Sequence, residues 1–222
     1  MYKAIFLDFY GTVVHEDDDI IPVICQEIMN STEITCTPED VGSYWWKAFL
    51  SRFQNSFGAT YETQRVLGIK SLSDTINYFK STCEASQIIQ KQFEFWKKPA
   101  IFADSLSFLE EVKMPIYILS NIDSDDLAAA MKHHHIQAAG IITSEDVQAY
   151  KPRPEMFKET MKRFHLTNDE VVHIGDSLIS DVQGAQGAGI KAVWLNRKKK
   201  AAPEHIKPDY VFGNLLEVKA IL

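Results

Sequence analysis

The stretch Tyr2–Val14, YKAIFLDFYGTVV, limits what this chain can fold into more than any other. Ala4 to Leu7 is an apolar run with no polar alternation. Such a run suits a strand buried on both faces, at the centre of a parallel sheet. It stops at Asp8, and Gly11 follows within a turn. Open α/β sheets take their ligands beyond the carboxyl ends of the strands, which is where Asp8 falls. By itself the stretch fits an ordinary strand and Asp/Gly turn equally well.

Beyond Val14 the pattern turns helical. Ile21, Ile24, Cys25 and Ile28 recur at helical spacing. Thr37-Pro38-Glu39-Asp40 is a helix start, with Thr37 as N-cap, Pro38 at the first helical position and Asp40 three residues after the cap. Tyr61 to Phe79 and Gln87 to Trp96 look like two more helices, and no strand pattern occurs between Glu16 and Lys98. The large aromatics here, Trp45, Phe49, Phe93 and Trp96 among them, are expected to fill a bundle core. Trp45 and Trp46 are adjacent and cannot share one narrow apolar stripe, so one of them is free to line a pocket or an interface. From Ile101 strands and helices alternate. Ile116–Leu119, Ile141–Ile142, Val171–Ile174, Lys191–Leu195 and Tyr210–Phe212 read as strands, and Glu145–Tyr150 as a loop. Alternation of this kind implies right-handed crossovers and a parallel sheet. The expected fold class is α/β: a Rossmann-like doubly wound parallel core, residues 1–15 and 99–222, with an all-helical cap domain inserted at 16–98.

With 222 residues, 45% of them hydrophobic, a packed globule is expected. The net charge of -7 argues against a nucleic-acid partner. The one basic run, Arg197–Lys200, reads as a solvated loop after a strand. Cys25, Cys36 and Cys83 are odd in number and widely spaced, which suits reduced thiols rather than a disulfide framework or a zinc site. The chain enters a strand at once, without a leader pattern, and no apolar run is long enough to span a membrane. The expected setting is cytoplasmic, with a small-molecule substrate, no nucleic acid, no membrane, and a monomer or homodimer. His133-His134-His135 point in different directions at a helix end and do not suit a shared metal site.

Four segments carry chemistry, in this order: Asp8; Ser120-Asn121 ending PIYILSN; Lys151 within YKPRP; and Gly175-Asp176-Ser177 with Asp181 in VVHIGDSLISD. Together they resemble the four motifs of the haloacid dehalogenase (HAD) superfamily, over a core from Tyr2 to about Asn196. The resemblance implies the same capped α/β architecture and a hydrolase. It implies Asp8 as nucleophile, which a carboxylate can be by forming a covalent intermediate that water hydrolyses. It implies Ser120 and Asn121 bonded to the transferring group, Lys151 neutralising charge on Asp8 and on phosphoryl oxygens, and Gly11 and Thr12 supporting them. It also implies Mg²⁺ as cofactor, held by Asp8, Asp176 and the backbone carbonyl of Tyr10, with Asp181 a further ligand or an acceptor behind the ligands.

Tyr10 departs from the phosphatase pattern, in which a second Asp protonates the leaving alcohol and later activates water. A tyrosine at neutral pH is a poor base. Asp-Phe-Tyr-Gly-Thr resembles the dehalogenase version, whose leaving halide needs no proton. The acidic Asp176…Asp181 pair resembles the magnesium-binding phosphatase version. An early-cap arginine like that of the dehalogenases is missing from His15 to Ser51, and Phe157 stands where they tend to carry Tyr. The leading expectation is therefore a Mg²⁺-dependent phosphatase on a small phosphorylated metabolite. The alternatives are a metal-free dehalogenase-like hydrolase of C–X bonds and a catalytically weak HAD-fold binding protein.

Overall fold

The computed structural model describes residues 2–222. Six strands form one parallel sheet: β1 (Ala4–Leu7), β2 (Ile116–Ser120), β3 (Gly140–Thr143), β4 (Val171–Gly175), β5 (Lys191–Leu195) and β6 (Tyr210–Phe212). Their spatial order is β3-β2-β1-β4-β5-β6. All four β1 residues are buried, as an apolar run without alternation requires at the centre of a sheet covered on both faces. Strand order reverses beside β1, where β2 pairs on one edge and β4 on the other. Ligands of open α/β sheets bind at such a switch point. Leu7 aligns with Ile118 on one side and Ile174 on the other, so Asp8 leaves the sheet between β2 and β4. Phe6, Leu119, Ile142, Met156, Phe157, Val182 and Trp194 pack into one core cluster.

The chain divides into two compact units. Among the described residues the first comprises 2–16, 100–121 and 134–222, and holds the sheet with five of the eleven α-helices described. The second, residues 17–99 and 122–133, is all helical. Its helices are α1 (Ile21–Asn30), α2 (Pro38–Gln54), α3 (Gln64–Tyr78), α4 (Ala85–Ile88) and α5 (Gln90–Lys97). The α2 start is a capping box: Asp40 N–H donates to Thr37 Oγ1 at 3.1 Å, and Thr37 N–H to Asp40 Oδ2 at 2.9 Å. Trp45 is buried and donates its indole N–H to Ser71 Oγ at 3.0 Å, while Trp46 is 61% exposed.

Between β2 and β3 lies α7 (Ser124–His133), which groups with the helical unit rather than with the sheet. Asp123 accepts the N–H groups of Gln64 and Arg65 at 2.6 and 2.9 Å, and Arg65 makes a two-pronged pair with the buried Asp126 at 2.6 Å for each prong. In the first unit α6 (Ser105–Glu111) precedes β2, and α9 (Glu155–Arg163) precedes β4. The segment read as loop from Glu145 instead begins inside α8 (Ser144–Val147), opened by a Thr143/Asp146 capping box. After β4 the chain makes a π-helical turn, Leu178–Gln183, that runs into α10 (Gly184–Gly187). A short α11 (Leu215–Val218) follows β6. The three cysteines are free, and among the described residues no helix is long and apolar enough to cross a membrane.

Candidate active site

The ends of β1, β2 and β4 carry Asp8, Ser120 and Asp176, and the loop after α8 adds Lys151. The Lys151 ammonium is buried. It spends its three N–H bonds on Asp8 Oδ1 at 2.8 Å, the Leu119 carbonyl at 2.8 Å and Asp181 Oδ1 at 2.6 Å. Thr12 Oγ1 donates to the other Asp8 oxygen at 3.0 Å, and the Asp8 N–H donates to the Ile174 carbonyl at 2.9 Å. Both Asp8 oxygens are thus oriented from two sides, by groups far apart in sequence.

Asp176 follows β4, and its carbonyl accepts the Trp194 indole N–H at 2.9 Å. Carboxylate oxygens of Asp8, Asp176 and Asp181 all lie within 4.8 Å of one another. Gly11 makes this approach possible. It sits at φ +82°, and a Cβ there would come within 2.6 Å of the Asp176 carboxyl. Gly175 is equally constrained, because a Cβ would come within 2.2 Å of the Asp181 carboxyl carbon.

The charges do not balance locally, since three carboxylates face one buried ammonium. Burial pushes Asp8 up most strongly and Lys151 pulls it back; with the Asp181 charge added, its pKa stands at about 7. Burial, and the negative charges of Asp8, Glu16 and Asp181, raise Asp176 well above the usual carboxylate range. Asp181 is also pushed up by burial, but Lys151 and a hydrogen bond from His173 outweigh that and hold it low. Lys151 keeps its proton: burial opposes its charge, and Asp181 and Asp8 more than offset the loss. A site of this kind, two buried carboxylates held close with insufficient cationic charge, suits a hard divalent cation.

The residues fit such an ion unequally. Asp8 and Asp176 have oxygens to offer. Asp181 lies in the same cluster, but its oxygens already accept from three groups, Oδ1 from Lys151 and His173 and Oδ2 from the Ser177 N–H at 3.0 Å, which suits an acceptor behind the ligands as well as a further ligand. Asn121 has a partner that the sequence did not suggest. Its side-chain amide grips the Lys151 main chain, accepting from the N–H at 2.7 Å and donating to the carbonyl at 3.1 Å. This grip ties the end of β2 to the Lys151 main chain. Ser120 is buried at the end of β2, and Tyr10 is half-buried with its ring edge-on to Phe9 at 5.4 Å.

Two neighbours of the site were not singled out from the sequence. His173 is fully buried on β4 and meets Asp181 Oδ1 through Nε2 at 2.9 Å. Burial lowers its pKa, and since Asp181 is ionised the proton of the neutral ring sits on Nε2. The signal was a lone polar residue in the apolar run Val171–Ile174. Trp194 read only as a strand residue, and nothing local marked it.

An open parallel sheet, with a buried carboxylate, a lysine paired to it and an acidic cluster at its switch point, has the layout of an α/β enzyme core. The family model of haloacid dehalogenase-like hydrolases matches residues 2–189, and the chain belongs to that family. It is 25% identical to an (S)-2-haloacid dehalogenase of Pseudomonas fluorescens, an alignment covering 97% of this chain and 93% of that protein. It is 26% identical to a phosphoserine phosphatase of Thermus thermophilus over 60% of this chain and 56% of the relative. In fold it is similar to the putative HAD-hydrolase YfnB of Bacillus subtilis, solved with bound magnesium, at TM-score 0.79 and 19% identity over 100% of this chain and 98% of that one.

Proposed function

We propose that this hydrolase is a Mg²⁺-dependent phosphatase that uses Asp8 as nucleophile on small phosphate compounds with acidic leaving groups. The observation that carries the reading is the closeness of Asp176 to Asp8 across Gly11, which leaves a surplus of buried negative charge. A magnesium ion on Asp8 and Asp176 would supply charge neutralisation at the phosphoryl oxygens. Asp8 attacks phosphorus, the bond to the leaving oxygen breaks, and water later hydrolyses the aspartyl-phosphate. Thr12 and Lys151 hold the carboxylate in one orientation, and Lys151 offsets charge as the transition state forms.

The nature of the leaving group follows from where the protons are. Lys151 has all three N–H bonds committed, and position 10 offers a phenol instead of a carboxyl. A phenol is a far weaker acid than a carboxyl group, so the leaving oxygen gains less help from protonation, which favours aryl, enol or acyl phosphates over alkyl esters. The test is hydrolysis of an aryl phosphate and an alkyl phosphate with and without Mg²⁺. Wild type should release aryl alcohol only with the metal, and Asp8→Asn should lose about a thousandfold or more. Tyr10→Asp should gain about a hundredfold on the alkyl ester. Absence of metal-dependent release across both substrates would sink the reading.

Tyr10 and the near full-length likeness to an (S)-2-haloacid dehalogenase favour a second reading, in which Asp8 displaces halide from a 2-haloacid. Halide release without metal, lost in Asp8→Asn, would put that reading first.

A further inference from the structure

The basic run Arg197–Lys200 is a sequence feature that the site has not absorbed. Lys198, Lys199 and Lys200 are exposed, as a solvated loop would have them. Arg197 is not: its side chain is 13% exposed. The guanidinium carbon lies 3.9 Å from the centre of the Phe102 ring. Two prongs of 3.0 Å reach Asp104, which also accepts the Leu215 N–H at 2.6 Å. Nη2 has a second acceptor, the Thr12 carbonyl, at 2.7 Å. Thr12 in turn is the residue whose hydroxyl donates to Asp8 Oδ2. The next carbonyl, that of Val13, accepts from Ser105 Oγ at 2.7 Å and from the Phe102 N–H at 3.2 Å.

Two consecutive carbonyls just after the nucleophile are thus pinned, one of them by Arg197. The turn before them pivots at Gly11, which has the widest backbone freedom of any residue. We infer that Arg197 is a positioning residue for Asp8: it fixes the main chain at Thr12, and Thr12 fixes the Asp8 carboxylate. A planar guanidinium serves Asp104 and the Thr12 carbonyl at the same time. A lysine at this position reaches one acceptor well and keeps only the charge. The inference rests on Asp8 as the nucleophile and is indifferent to whether phosphate or halide leaves.

Arg197→Lys, Thr12→Val and the double variant test it. Turnover is measured on an aryl phosphate with Mg²⁺ and, separately, on (S)-2-chloropropionate without metal. Arg197→Lys should lower kcat about 10–100-fold with KM changed less than about twofold, the size expected when a reacting group is misplaced by a fraction of an ångström to an ångström. The double variant should be no slower than the slower single, because both substitutions cut one chain of contacts. Multiplying effects, or a loss of kcat that only tracks the folded fraction, would make Arg197 a plain staple to Asp104 and overturn the inference. Hydrogen exchange needs no turnover and separates failure here from failure of Asp8 as nucleophile. In Arg197→Lys, amides of residues 9–14 should exchange at least tenfold faster than in wild type, with the sheet unchanged. Unaltered exchange there would also overturn it.

Discussion

At the scale of single residues, Asp8 has an acidity set by opposing forces. Burial raises its pKa, Lys151 and Thr12 lower it, and the balance stands at about 7. With Asp8 as the proposed nucleophile only its carboxylate form attacks, so 2-haloacid hydrolysis measured without metal should show kcat/KM rising with pH to a plateau above about 7. A cation beside Asp8 favours the charged form. With Mg²⁺, the limb of aryl-phosphate hydrolysis should therefore lie at lower pH, which rate profiles from about pH 3.5 to 9 read directly. A limb near pH 4 in both conditions would mean that the carboxyl is not desolvated as the structure has it. Two other residues show how far roles depend on partners. The strand-end position of Asn121 was legible, yet its hold on the Lys151 main chain was not. That job requires residues 30 apart in sequence to meet at the sheet edge, and no local pattern encodes it.

At the scale of elements, the helix starts were the most legible parts, because caps act over three or four residues. Thr37 to Asp40 reads the same in sequence and structure. The placement of α7 did not follow from such signals. Its position after β2 suggested a helix of the α/β core, but Asp123 and Asp126 engage the first turn of α3, through backbone N–H groups and through Arg65. Arg65 also lies over the Phe93 ring at 4.3 Å. Asp126 is almost wholly buried, so Arg65→Met would leave its charge without a partner. Such a loss costs about 3–5 kcal/mol for a fully buried pair, and less here because Arg65 is about a third exposed. Urea unfolding should therefore show Arg65→Met destabilised by about 2–3 kcal/mol. Arg65→Met with Asp126→Leu should recover most of it, since an apolar pair removes the stranded charge. A single variant as stable as wild type would show that Asp126 is hydrated.

At the scale of the whole molecule, the acidic cluster links stability to pH. Asp8 and Asp176 have raised pKa values, so the native state holds protons that the unfolded chain has already released. Their contribution is fully present below about pH 4 and is lost as pH rises, through about 7 for Asp8. Asp181 is held low, and its contribution is constant above about pH 5. His173 acts in the opposite sense, because its buried ring stays neutral while the unfolded chain takes a proton below about pH 6.5. The difference in Tm with and without Mg²⁺ separates the carboxylates from the histidine. It should be larger at pH 8 than at pH 5.5, and should largely vanish in Asp176→Asn. An equal gain at both pH values would place the ion elsewhere. The sequence by itself determined the parallel α/β core, the helical insertion and the order Asp8, Ser120, Lys151, Asp176, because apolar runs, strand-end polar residues and caps are patterns a few residues long. Only the tertiary structure decided that Arg197 is held, mostly covered, against Asp104 and the Thr12 carbonyl, that Asp181 has both oxygens engaged, and that α7 packs with the helical unit. Those outcomes depend on which strand ends become neighbours, and strand order is set by burial of the whole sheet rather than by any single segment.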